Sequence, residues 1–236
     1  MQSKPFGEHY PFSCFVTGTD TEIGKTLTSA AILNAWAAQG YRVVGMKPVA
    51  AGAHWRDEAW RNEDTDSLVQ AGNVEVPYEW QTPYLWREPM APHLAARQAG
   101  GEMRLEVILD AYERLSEQAQ AVVVEGVGGF RVPLTEQLDT ADLAVALGLP
   151  VILVVGIKLG CISHALLTVE AIRSRGLFLA GWVANQVEID MLAPQANVQS
   201  LCERIPAPFL GHVPRLEQPR AEQAATFLSW PQTPDR

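Results

Sequence analysis

The chain has 236 residues, room for one large or two small domains and for an ample buried core. Hydrophobic residues make up 47% and charged residues 19%, which excludes general disorder. With 18 Lys+Arg against 27 Asp+Glu, the formal charge of −9 excludes a chain built to wrap a nucleic-acid backbone or lie on an anionic membrane. It leaves open a local positive pocket for a small anion.

Residues 1–11 are expected to form a loose leader without a signal-peptide core, followed by one domain over 12–236. The first strand is expected at Cys14–Phe15–Val16, and a helix at about Lys25–Gln39, stopped by Gly40. Arg42–Lys47 reads as a second strand, Gly52–Asp66 as a polar loop with a short helix starting near Asp64, and residues 73–93 as irregular. A helix over 104–119 is marked by Leu105, Ile108, Leu109, Tyr112 and Leu115 at spacings near 3.6. Ala121–Val124, Val151–Val155 and Leu179–Ala184 are continuous apolar runs, the pattern of strands covered on both faces. Helices fit at 140–148, 162–175 and 191–204, then a strand at Phe209–Val213 and a helix near 217–229. The apolar run Leu149–Ile157 falls short of the ~20 residues of a membrane helix. Cys14, Cys161 and Cys202 have no metal-ligand spacing and form no disulfide framework, so a reducing, cytoplasmic setting is expected.

Between the first strand and its helix stands Gly18-Thr19-Asp20-Thr21-Glu22-Ile23-Gly24-Lys25-Thr26. A strand–Gly-rich loop–helix ending in G-K-T is the phosphate-binding arrangement. Backbone N–H groups at the helix start attract phosphate oxygens, Lys25 adds charge, and the Thr26 hydroxyl suits Mg²⁺. The spacing is G-x5-G-K-T, one residue longer than usual. The fold class expected is therefore α/β: a single-domain P-loop NTPase fold, with a mostly parallel central sheet and helices on both faces.

Glu125 ends the AVVV run and opens Glu-Gly-Val-Gly-Gly, at the sheet edge where open α/β folds bind ligands. Asp64 and Asp66 compete for a metal role. Lys47 ends a strand on the same edge, and Lys158 raises the same question after VILVVGI. His54, His93, His164 and His212 form no ligand pattern.

Together, VTGTDTEIGKT (16–26), KPVAAG (47–52), RNED (61–64), VEGVGG (124–129), PVILVVGIKLGCISHALLT (150–168), LAGWVANQV (179–187) and IPAPFLGHVP (205–214) resemble the dethiobiotin synthetase family. The resemblance implies a homodimer that uses MgATP to join CO2 to 7,8-diaminononanoate through a carbamate and a carbamic–phosphoric mixed anhydride. It implies that Lys25 and Lys47 hold phosphate and carbamate oxygens, with Thr21 on the substrate and phosphate side. Thr26, Asp64 and Glu125 would surround Mg²⁺, and RNED favours Asp64 over Asp66. Residues 18–26 would bind nucleotide, with Asn185 reading the adenine and Pro214 beside it. Lys47 and Ala51 would face the substrate. Its carboxylate would be received by Leu159-Gly160-Cys161-Ile162-Ser163 of the partner subunit. Two departures touch substrate recognition: Ala51 where the family often has Ser, and Ser163 where it has Asn.

Two other readings stand beside this one. A partitioning-type ATPase or nucleotide switch usually carries a second lysine near the position of Asp20 or Thr21, which this loop lacks. An amidotransferase-type ligase would need a glutaminase region. The surplus of acids is expected to be mostly surface, with Asp64 and Glu125 matched by Mg²⁺ rather than by protein cations.

Overall fold

The computed structural model describes residues 12–229; the leader expected at 1–11 lies outside them. In chain order the elements are β1 (Cys14–Gly18), α1 (Lys25–Ala37), β2 (Val43–Met46), β3 (Val49–Ala51), β4 (His54–Arg56), β5 (Ala59–Arg61), α2 (Glu63–Ala71), α3 (Tyr78–Gln81), β6 (Tyr84–Trp86), α4 (Pro92–Gln98), α5 (Leu105–Gln118), β7 (Ala121–Glu125), α6 (Thr140–Leu147), β8 (Val151–Ile157), α7 (Cys161–Ser174), β9 (Leu179–Gln186), α8 (Pro194–Cys202), β10 (Phe209–Val213) and α9 (Ala221–Ala225).

Six strands form one sheet in the order β10-β9-β8-β1-β7-β2, and every pairing in it is parallel. Parallel neighbours need crossovers, and the helices that supply them cover both faces. Strand alternation splits the core in two. Phe15, Val44, Val122, Val124 and Leu153 pack with α5, α6, α7 and α8. Cys14, Val16, Val43, Val123 and Val154 pack with α1, α2 and α9. Helix α1 lies between the sheet and its two neighbours, so Ala30, Ala31, Ile32, Leu33 and Trp36 are buried around much of its circumference.

The expected strands of the main sheet are all present. Most of the corrections fall between β2 and α5. The stretch expected as a polar loop holds the antiparallel hairpin β4–β5, in which Trp55 faces Trp60. Its turn uses Asp57 and Glu58 at positive φ, so no Asn-Gly signal marks it. The stretch read as irregular holds α3 and β6, and β6 pairs with β3 as a small parallel ribbon. Near the end, α8 and α9 are shorter than expected, and Leu228 bridges to Gly211 instead of continuing a helix.

Candidate nucleotide and metal site

The C-terminal ends of β1, β7 and β8 stand side by side, so their loops converge on one edge of the sheet. The β1–α1 loop is shaped there by Gly24, at φ 90° as it caps α1. A Cβ on Gly24 would lie 2.2 Å from Asn185 Nδ2, so the position excludes any larger residue. Asn185, at the end of β9, donates through that nitrogen to the Ile23 carbonyl at 2.8 Å. In the register of β9 and β10 it sits opposite Val213, which brings Pro214 to the same edge.

Lys25 is buried, and its Nζ donates to the Asp20 carbonyl at 2.8 Å. Burial, reinforced by the Lys47 charge, lowers its ammonium to about 8. Thr26 Oγ1 lies 2.8 Å from Asp64 Oδ1 and 2.9 Å from Glu125 Oε1. Three residues from three elements, α1, α2 and β7, thus meet at one point.

Lys47 completes the cluster. Its Nζ is 2.6 Å from Glu125 Oε1, 2.9 Å from Asp64 Oδ2 and 3.3 Å from the Gly126 carbonyl. Burial alone would lower this ammonium, but the two carboxylates outweigh it and hold the Lys47 pKa above its usual value. Asp64 is likewise held below its usual range: burial opposes ionisation, and Lys47 and Thr26 overcome it. This corrects the expected charge balance, because in this structure Asp64 and Glu125 are matched by a protein cation.

The metal-site alternatives separate cleanly. Asp66 faces away, toward Arg56 at 2.5 Å and Tyr78 Oη at 3.2 Å. Asp64 points at Thr26 because Asn62 caps α2, accepting the Thr65 N–H at 3.2 Å and donating to the Ala51 carbonyl at 3.2 Å. The oxygen set of Thr26, Asp64 and Glu125 suits a hard cation such as Mg²⁺. Glu125 Oε2 is buried without a hydrogen-bond partner, so one lone-pair position is free for such an ion. Among the described residues, no group of three His, Cys, Asp or Glu side chains offers a metal site of another kind.

A cavity of about 960 Å³ opens over these groups, lined by Thr21, Lys25, Thr26, Lys47, Asp64 and Glu125. Ala51 lines it too, as do the apolar Ala53, Met90, Val127 and Val132. Leu159, Gly160, Cys161, Ile162 and Ser163 do not line it. They form the turn into α7 and its first residues, with Leu159 89% exposed and Cys161 buried.

Sequence reasoning missed two supports. Gln81 in α3 accepts the Lys47 N–H through its carbonyl at 2.7 Å and donates its side chain to the Gly45 carbonyl at 2.9 Å, fixing the strand end that carries Lys47. No local signal identifies it, since α3 is only four residues long. Asn62 was legible in principle, as an N-cap residue just before Glu-Asp.

A family model described as an AAA domain matches residues 13–223. The chain belongs to that family. Its AAA domain also resembles solved P-loop NTPases at low identity. The 54 kDa signal recognition particle protein from Aeropyrum pernix K1, in complex with GDP, is 16% identical with a TM-score of 0.54, over 96% of this chain and 47% of that one. The MinC:MinD cell division complex from Aquifex aeolicus gives 15% identity and a TM-score of 0.55, over 91% of this chain and 86% of that one. The signal recognition particle receptor FtsY from Elizabethkingia anophelis, with GDP, gives 14% identity and 0.49, over 94% and 61%. The AAA domain thus spans about half to three-fifths of the length of the two signal recognition particle proteins. The scores above 0.5 show a shared α/β fold, and the G-x5-G-K-T loop marks a nucleotide-binding domain of P-loop NTPase type. Among the described residues, no helix is long and apolar enough to cross a membrane.

Proposed function

We propose that the domain is a MgATP-dependent ligase of dethiobiotin synthetase type, which carboxylates 7,8-diaminononanoate with CO2 and closes the ureido ring. The observation that carries this reading is the second buried lysine. Lys47 lines the same cavity as Lys25 and Thr21, which supports a site where two cations serve one anionic reaction centre. The apolar residues in the cavity lining, Ala53, Met90, Val127 and Val132, suit contact with an alkyl chain. The sequence strings KLGCISHA and VEGVGG support the same choice.

In this reading one substrate amine adds to CO2 and loses a proton, giving a carbamate. A carbamate oxygen attacks the γ-phosphorus of ATP as the bond to ADP breaks. The second amine then attacks the carbonyl carbon and gives up a proton, phosphate leaves as the C–O bond to it breaks, and the ring closes. The carbamate, the γ-phosphate and the mixed anhydride are all anionic, so the protein contributes position and fixed positive potential. Lys25 leaves the Asp20 carbonyl to hold phosphate oxygens, and Lys47 faces the carbamate and the transferring group. Thr26, Asp64 and Glu125 would hold Mg²⁺, which when bound would offset charge on the phosphates. Lys47 bridges Asp64 and Glu125 and so keeps the two acids together at the place where the cation would sit. The α7 turn lies outside the cavity of its own chain, which fits a homodimer in which Leu159–Ser163 of one subunit receive the substrate carboxylate in the other's site.

A second reading, a nucleotide switch without ligase activity, is favoured by the structural likenesses, which are to MinD and signal recognition particle proteins. One assay separates the two. Coupled ADP release is measured with diaminononanoate, bicarbonate and Mg²⁺ omitted in turn. The ligase requires all three. Turnover unaffected by omitting the diamine and bicarbonate sinks the ligase and leaves the switch.

A further inference from the structure

The phosphate loop carries an acid in its midst, where a carboxylate would oppose a polyphosphate. The structure offsets that charge from another element. Lys158 follows β8 and places its Nζ 2.7 Å from Asp20 Oδ2. Asp20 Oδ1 accepts the Thr21 N–H at 2.8 Å, and the Asp20 carbonyl accepts Lys25 Nζ at 2.8 Å. One residue therefore ties together the loop backbone, the loop lysine and a lysine from β8. The hydrogen bonds from Lys158 and Thr21 hold the Asp20 carboxyl below the usual carboxylate range. On its other side Lys158 opens the turn into α7, where the Leu159 N–H donates to Glu188 Oε2 at 3.1 Å. A continuous set of contacts thus runs from Thr21 through Asp20 and Lys158 to Glu188, beyond β9.

We propose that Lys158 is a positioning residue of the nucleotide site: through Asp20 it neutralises and fixes the phosphate loop, and it couples that loop to the β8–α7 turn. It acts through Asp20 and does not contact the reacting atoms. The proposal needs nucleotide at the loop and holds for a ligase or a switch alike. In effect, the cation that switch-type loops carry within the loop is supplied here from a neighbouring strand, and it arrives already paired.

Calorimetric titration of the full chain with MgATP tests this on Lys158→Met, Lys158→Arg, Asp20→Asn and the Asp20→Asn/Lys158→Met double variant. An uncompensated carboxylate within the half-exposed phosphate loop is expected to weaken binding of an anionic ligand about tenfold, so Lys158→Met should lose that much. Lys158→Arg keeps the charge and stays within about threefold of the parent. The double variant lacks the stranded acid and binds more tightly than Lys158→Met alone, so the two effects do not add. In hydrogen exchange, nucleotide protects residues 159–163 of the parent and not of Lys158→Met. Both side chains are partly exposed, at 34% and 43%, so melting temperatures stay near the parent's. The proposal is overturned if Lys158→Met binds within about twofold of the parent, if the two substitutions add, or if the turn remains protected in Lys158→Met. A parent chain that binds no MgATP overturns it together with the nucleotide site, whereas binding without ligase activity removes only the ligase reading.

Discussion

Replacing Lys47 by Met tests whether the acid cluster depends on a protein cation. Met keeps much of the buried stem volume and removes the charge. The two ion pairs it breaks are unequal. The Asp64 side chain is 45% exposed, so its pair with Lys47 contributes at most about 1 kcal/mol. Glu125 is fully buried, and without Lys47 its carboxylate retains only the Thr26 hydroxyl at 2.9 Å. Stranding a buried charge in this way costs about 3–5 kcal/mol, and this term dominates. For a chain of this size that is a fall of about 6–20 °C in melting temperature. Urea denaturation followed by circular dichroism measures the loss. Two companions sharpen it. Glu125→Gln in the Lys47→Met background should recover most of the stability, because both charges are then gone. Millimolar Mg²⁺ should stabilise Lys47→Met more than the parent, because the ion takes the place of the missing ammonium between Asp64 and Glu125. A loss below about 1 kcal/mol, with no recovery in the double variant, refutes the argument and makes Lys47 an ordinary surface-like pair.

Asp64→Ala should abolish the Mg²⁺ dependence of nucleotide binding, whereas Asp66→Ala should leave it intact and change stability by under about 1 kcal/mol; equal effects in titration calorimetry would remove Asp64 from the metal site. Gly24→Ala should cost about 1–3 kcal/mol and nucleotide affinity, because the residue sits at φ 90° against Asn185; a chain of parental stability in urea contradicts the packing described. Asp142 in the α6 capping box is held below its usual range by the Asp139 N–H and then by Arg175. Its stabilisation is therefore complete above the unfolded-state value and is lost as pH falls through the lower folded value. Asp142→Asn should flatten the acid limb of the stability–pH curve below about pH 4, and a curve parallel to the parent's rules the group out.

The central sheet was readable in the sequence because its strands are buried on both faces. Ala121–Val124 and Val151–Val155 have no polar alternation to confuse with a helix face, and the Gly-Lys-Thr loop fixes what lies between β1 and α1. Apart from the helix read as starting near Asp64, the segment from Gly52 to Trp86 was not readable because its structure is not local. The strand β6 is only three residues long and exists because it pairs with β3, while β4 and β5 expose Trp55 and turn at residues without a positive-φ preference. The site residues divide in the same way. Lys25, Thr26 and Glu125 follow from a loop and a strand end, each legible alone. That Lys47 would lie on Glu125, and that Asp20 would meet Lys158, depends on strand order, which no run of residues declares.

The order of the six strands also governs how the chain must be made. The β1 strand lies inside the sheet, between β7 and β8, yet it precedes both by a long way: the Val122 N–H reaches Ser13 Oγ across 109 positions. During synthesis β1 therefore emerges with neither of its sheet partners, and the phosphate loop that follows it lacks its flanking strands until β7 and then β8 leave the ribosome. Long-range parallel pairing of this kind is slow and leaves apolar strands exposed while it waits. The arrangement that gathers the site at one sheet edge is thus the same one that leaves β1 waiting longest for its neighbours.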